Sequence, residues 1–113
     1  MKNLIIFSLE GCGYSMRAEN TCTTRNIDAT INKVKYENKE SIKQLNSMNT
    51  FPQIFLEGGG ERHLIGGNSD LDEIINIIDI TKNNKKFDKM VLNISQKLNV
   101  NKRVSLEIIN ILK

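Results

Sequence analysis

Residues 3–25 read NLIIFSLEGCGYSMRAENTCTTR, and the change of period inside this stretch decides the fold class. Residues 3–8, NLIIFS, are a short apolar run stopped by Gly11, which suits a buried strand. From Ser15 to about Arg25 the spacing of Met16, Ala18, Glu19, Cys22 and Thr23 fits a helix. The local order is strand, loop, cysteine, helix, with Cys12 at or just before the helix N-terminus. A strand–helix–strand unit built on this start places its two strands parallel.

Working outward, residues 34–37 read as the second strand and residues 39–48 as a helix with Ile42 and Leu45 inward. PQIFLE, residues 52–57, is the third strand; Gly58, Gly59 and Gly60 turn the chain into ERHLI, the fourth, so the last two strands form a hairpin. Asn68, Ser69 and Asp70 then cap a helix carrying Leu71, Ile74, Ile75 and Ile78 on one face. This predicts an α/β domain over residues 1–82, with a mixed four-stranded sheet flanked by helices.

Residues 83–113 have their own period. Phe87, Met90, Val91, Ile94 and Leu98 form one apolar stripe, and Val104, Ile108, Ile111 and Leu112 another, predicting a C-terminal helical extension broken near residues 99–101. Its outline is that of a helix-turn-helix with Lys102 and Arg103 at the second start, but packing on the domain or on a partner explains it without nucleic acid.

A chain of 113 residues, 39% hydrophobic and 26% charged, fits one globular domain with a small appendage. A formal charge of +3, spread except near residues 82–89 and at Lys102 and Arg103, does not demand a nucleic-acid partner. LIIF is too short to span a membrane or to start a signal peptide, so a soluble, cytoplasmic protein is expected. Two cysteines do not build a disulfide framework, and with one histidine they make a poor metal site within one chain. His63 reads as a hairpin residue and Cys22 as helix packing.

Three elements carry chemistry. Cys12 at a helix start gains from unpaired N–H groups and the helix dipole, which favour the thiolate; Arg17 adds a positive charge and Glu10 opposes it. Thr50-Phe51-Pro52 contains the chain's single proline, opening a strand where its missing N–H is tolerated. Gly66-Gly67-Asn68-Ser69-Asp70 precedes a helix N-terminus, a place for a carboxylate, with Asp70 available to an ammonium.

Together these motifs resemble those of the glutaredoxin family: C-G-Y-S-M-R-A is similar to C-P-Y-C-x-R-A, T-F-P-Q-I-F to T-V-P-Q-I-F, and I-G-G-N-S-D-L to I-G-G-C-S-D-L. The resemblance covers about residues 2–81 and implies a thioredoxin-like fold of the short, single-thiol class, with a cis-Pro52. It implies a catalytic Cys12 and a glutathione site formed by Tyr14, Thr50, Phe51, Pro52, Gly67, Asn68, Ser69 and Asp70. The family's usual lysine three residues before the cysteine is here Leu9, and its proline after the cysteine is Gly13.

Because Ser15 stands where a resolving cysteine would be, the expected activity is monothiol reduction of glutathione mixed disulfides, with glutathione as co-substrate and glutathionylated proteins or small disulfides as partners. Cys22, ten residues along a helix of ~1.5 Å rise per residue, lies too far away to resolve Cys12. Two other classes are open: a dimer holding a [2Fe–2S] cluster through Cys12 and two glutathiones, and a redox-inactive interaction protein. Either a monomer or a cluster-bridged dimer is compatible with the sequence.

Overall fold

A computed structural model describes residues 2–84 and 87–113, without the side chains of residues 81–84. The basic group expected near residues 82–89 and the boundary at 82/83 fall largely outside the described side chains. Strand β1 (Asn3–Leu9) leads into helix α1 (Gly13–Thr24), strand β2 (Ala29–Val34), a 3-10 turn (Tyr36–Asn38) and helix α2 (Lys39–Asn46). Strands β3 (Gln53–Gly58) and β4 (Glu61–Gly66) follow, then helices α3 (Asn68–Asn84), α4 (Phe87–Leu98) and α5 (Lys102–Leu112).

The sheet order is β2-β1-β3-β4, with β1 parallel to β2 and antiparallel to β3, and β3 antiparallel to β4. This is the mixed four-stranded sheet of a thioredoxin-like fold. Alternation along β1 sends Leu4, Ile6 and Ser8 inward. There Leu4 and Ile6 meet Ala18 and Cys22 of α1, and Leu71, Ile74, Ile75 and Ile78 of α3. On the sheet's other face Phe7 and Phe55 make an edge-to-face pair at 6.0 Å, and the Arg62 guanidinium lies 3.8 Å from the Phe55 ring centroid.

The β3–β4 hairpin turns on Gly59 and Gly60, both with positive φ, the requirement of a type I′ turn. Elsewhere the chain stops helices with asparagine and serine. Asn26, Ser47 and Asn99 all adopt φ between 54° and 56°. The next residue's N–H returns to the carbonyl five positions back in each case: Ile27 to Cys22, Met48 to Lys43 and Val100 to Ser95. Asparagine tolerates the left-handed conformation better than most side chains, so an asparagine-rich sequence can end helices without glycine.

Two helices do form the extension, separated at the expected place; Asn101 caps α5 by accepting the Val104 N–H at 2.9 Å. Its apolar stripes do not make a separate core. Met90, Val91, Ile94, Val104, Ile108, Ile109 and Leu112 belong to the same buried cluster as Leu56, Ile65 and Ile74. Between α4 and α5 the Ser95 and Ser105 hydroxyls meet at 2.6 Å. At the far end, Lys2 bridges Glu61 at 2.7 Å and Glu107 at 2.9 Å, while Arg103 reaches the same two carboxylates.

Three expectations are corrected. The second strand is Ala29–Val34, not residues 34–37, because it pairs with β1 from Leu4↔Ala29 to Leu9↔Val34 before the chain turns at Tyr36. Leu45 is 70% exposed rather than inward, and Asn46 is the buried residue at the end of that short helix. Phe87, at the first position of α4, is half exposed and lies outside the buried stripe.

Candidate active site

Cys12 is the N-cap of α1: its φ of −95° and ψ of 120° are extended, while its carbonyl already accepts the Met16 N–H at 3.1 Å. The thiol is thus held at the open end of the helix, where amides are unpaired. Partial burial pushes its pKa up, but hydrogen bonding from the Ser15 side chain and from the backbone N–H groups of Ser15 and Tyr14 outweighs burial. The net shift is downward, toward the thiolate.

Neither Arg17 nor Glu10 is among the groups that move it. The Arg17 guanidinium lies over the Tyr14 ring, 5.5 Å from its centroid. Ser15 is fully buried, and its Oγ accepts the Leu9 N–H at 3.0 Å, which leaves the hydroxyl proton for the sulfur. One residue therefore ties the end of β1 to α1 and stabilises the anion. In Ser15→Ala the pH midpoint of Cys12 alkylation is expected to move up toward that of an ordinary thiol. Orphaning the Leu9 N–H is expected to lower stability by about 1–3 kcal/mol. Iodoacetamide rates measured across pH check the first effect, and an unchanged midpoint counts against it.

The Phe51–Pro52 bond is cis, and the Phe51 carbonyl faces the Cys12 sulfur at 3.9 Å. Buried polar contacts hold this loop. Fully buried Gln53 accepts from Asn46 at 2.7 Å, and Asn46 in turn accepts from Arg62 at 3.0 Å. These three residues position the proline loop; Gln53 belongs to the T-F-P-Q-I-F motif, whereas no motif marks Asn46 or Arg62.

A groove of about 600 Å³ is lined by Tyr14, Thr50, Phe51, Gly67, Asn68, Ser69 and Asp70, together with Met48, Leu64 and Gly66. Seven of the eight expected glutathione-site residues therefore share one hollow; Pro52 is buried and does not line it. Tyr14 is 62% exposed and forms a wall. Asn68 Oδ1 is buried with no hydrogen-bond partner among the described residues. The apolar contributors Met48 and Leu64 carry no motif and are legible only in the fold.

Gly66 and Asp70 fix the helix end of the groove. Gly66 has φ +128°, and a Cβ there would lie 2.3 Å from Asp70 Oδ2. That same oxygen accepts the Gly67 N–H at 2.8 Å, closing the N-terminus of α3. Gly66→Ala is expected to strain the backbone and displace the Asp70 carboxylate, with a stability loss of about 1–3 kcal/mol read by urea unfolding.

Cys22 is 5% exposed, and burial followed by the charge of Glu19 pushes its thiol up, so it is unreactive packing. Among the described residues no group of three His, Cys, Asp or Glu is close enough to hold a metal ion, and no helix is long and apolar enough to cross a membrane.

A family model described as Glutaredoxin matches residues 4–61, just over half of the chain. Among solved structures, the chain is similar to the dithiolic glutaredoxin 2-C-Grx1 of Trypanosoma brucei brucei, at 26% identity over 79% of this chain and 86% of that one, with a TM-score of 0.42. A glutaredoxin from Brucella melitensis is similar at 26% identity over 78% and 86%, with a TM-score of 0.41. No curated protein matches the chain.

Proposed function

The chain belongs to the glutaredoxin family, whose activity is thiol–disulfide exchange, and on that premise we propose that it reduces glutathione mixed disulfides by a monothiol route through Cys12. The observation that carries this reading is the groove: the proline loop and the N-terminus of α3 line one hollow of peptide size, and the Cys12 sulfur, its pKa lowered, lies 3.9 Å from the Phe51 carbonyl of that lining.

In the first step the Cys12 thiolate attacks the glutathionyl sulfur of a mixed disulfide. A bond forms between Cys12 and that sulfur, the original disulfide breaks, and the substrate leaves as a thiolate that takes a proton from water. In the second step a glutathione thiolate attacks the glutathionyl sulfur on Cys12; glutathione disulfide leaves and the Cys12 thiolate is restored. With Ser15 in place of a second thiol and Cys22 buried, no sulfur of the chain competes with glutathione for this step. Tyr14 walls the adduct, the backbone at Phe51 pairs with its cysteine, and the amides at the start of α3 receive its terminal carboxylate.

Two half-reactions sharing one covalent enzyme form give parallel initial-velocity lines when glutathione and a glutathionylated peptide are varied. Converging lines, or no glutathionyl adduct on Cys12 by intact mass, would falsify the reading. The partners are glutathione and glutathionylated proteins or small disulfides, in the reducing cytoplasm where a free thiol persists.

A second reading, a [2Fe–2S] cluster bridged between two copies, rests on Gly13, where an added Cβ would meet nothing within 4 Å, leaving the approach to Cys12 open. One chain supplies one accessible thiol, so the remaining ligands would come from a second Cys12 and two glutathiones. Visible absorbance after anaerobic reconstitution, absent in Cys12→Ser, is its test.

A further inference from the structure

The extension reaches the helix end of the groove through one side chain. Lys97, near the end of α4, places Nζ 3.3 Å from Asp70 Oδ1 and 2.6 Å from Glu73 Oε2. Asp70 Oδ2 is meanwhile taken by the Gly67 N–H at 2.8 Å. Both oxygens of the carboxylate that would receive a ligand ammonium are thus engaged, one by a cation of the chain itself.

This is not a loose surface pairing. The Lys97 side chain is only 22% exposed, and Lys97 lines a second hollow of about 430 Å³ that shares Leu64, Gly66 and Asp70 with the groove. α4 is anchored behind it by Met90, Val91 and Ile94 in the common core. The hydrogen bond to Glu73 above all, and then that to Asp70, keep the amine charged despite partial burial. A ligand ammonium arriving at Asp70 must share an oxygen with Lys97 or push it wholly onto Glu73, and like charges at that distance repel.

We propose that Lys97 is a specificity-determining residue that offsets Asp70, so that the groove takes peptide-like thiols lacking a free α-ammonium nearly as well as glutathione itself. This rests on reading the groove as the thiol co-substrate site. Lys97 touches no reacting atom and acts through Asp70, as a positioning residue. The remaining contacts available to a ligand, the helix amides and the Phe51 backbone, are indifferent to the α-amino group, which is why losing it changes little.

The experiment compares glutathione with glutaryl-cysteinyl-glycine, the same molecule without its amino group, as reductant of one glutathionylated peptide. The readout is the ratio of their kcat/KM values. In the wild type the ratio is about twofold; in Lys97→Gln it rises to about tenfold, the size of effect expected for freeing one half-exposed carboxylate, and it rises through the KM for glutathione rather than through kcat. Lys97→Arg, which keeps the cation, returns the ratio to the wild-type value. An unchanged ratio in Lys97→Gln overturns the proposal while leaving the oxidoreductase reading intact, as does a ratio that Lys97→Arg alters equally. Absence of Cys12-dependent turnover with either thiol overturns the parent reading and this one together.

Discussion

Cys12→Ser is expected to lose turnover of glutathione mixed disulfides by at least about a thousandfold, the scale on which removal of a catalytic nucleophile acts. A serine hydroxyl at this N-cap keeps the helix start and even improves capping, so the loss isolates the sulfur from the fold. The paired variant makes the result specific. Cys22→Ser is expected to keep turnover within about twofold, since nothing in the proposed mechanism uses it, while putting a hydroxyl into the core at a cost of about 1–3 kcal/mol. Reading both variants by coupled glutathione reductase assay and by urea unfolding separates chemistry from stability. Comparable rates for Cys12→Ser and the wild type would remove the chain from enzymatic thiol exchange and leave the interaction-protein class.

Ile94→Ala and Ile108→Ala are expected each to destabilise the whole chain by about 2–5 kcal/mol, the usual range for truncating a fully buried isoleucine. Ile94 is 0% and Ile108 1% exposed, and both lie in the cluster that includes Leu4, Ile6 and Leu71 of the sheet and α3. The informative measurement is whether one transition is seen by two probes. Far-UV circular dichroism follows all helices, whereas reactivity of Cys22 follows α1 alone; with one shared core the two midpoints coincide and fall together in each variant. A dichroism change preceding exposure of Cys22 would mean instead that α4 and α5 come away as a unit of their own.

Much of the site is local and was therefore legible. Cys12 follows an apolar strand and precedes a helical period, so its N-cap position needed no tertiary information. Phe51-Pro52 and the Gly66 to Asp70 run carry backbone constraints of their own. The matched family segment, residues 4–61, ends before that last run, so the sequence motif and the observed groove are what bring Gly67 to Asp70 into the site. Where periodicity misled, the reason is visible. β2 is an edge strand whose residues are half-buried or exposed until Val34, so its apolar signal is weak and the period does not mark where it starts. Arg17 has the right charge one turn from the thiol, but its side chain lies over Tyr14, and the thiolate is held by nearer groups, Ser15 and two amides.

The sequence by itself determined the order of elements, the mixed sheet, the two-helix extension and the place of Cys12 at a helix start, because each follows from period, capping or a backbone constraint within a few residues. Only the tertiary structure decided that the extension shares the domain's core and that Asp70 is already held by Lys97, 27 residues away. Pairing between distant charges depends on how helices pack against each other. The isoleucines that set that packing specify burial, not which polar neighbours are carried along with it.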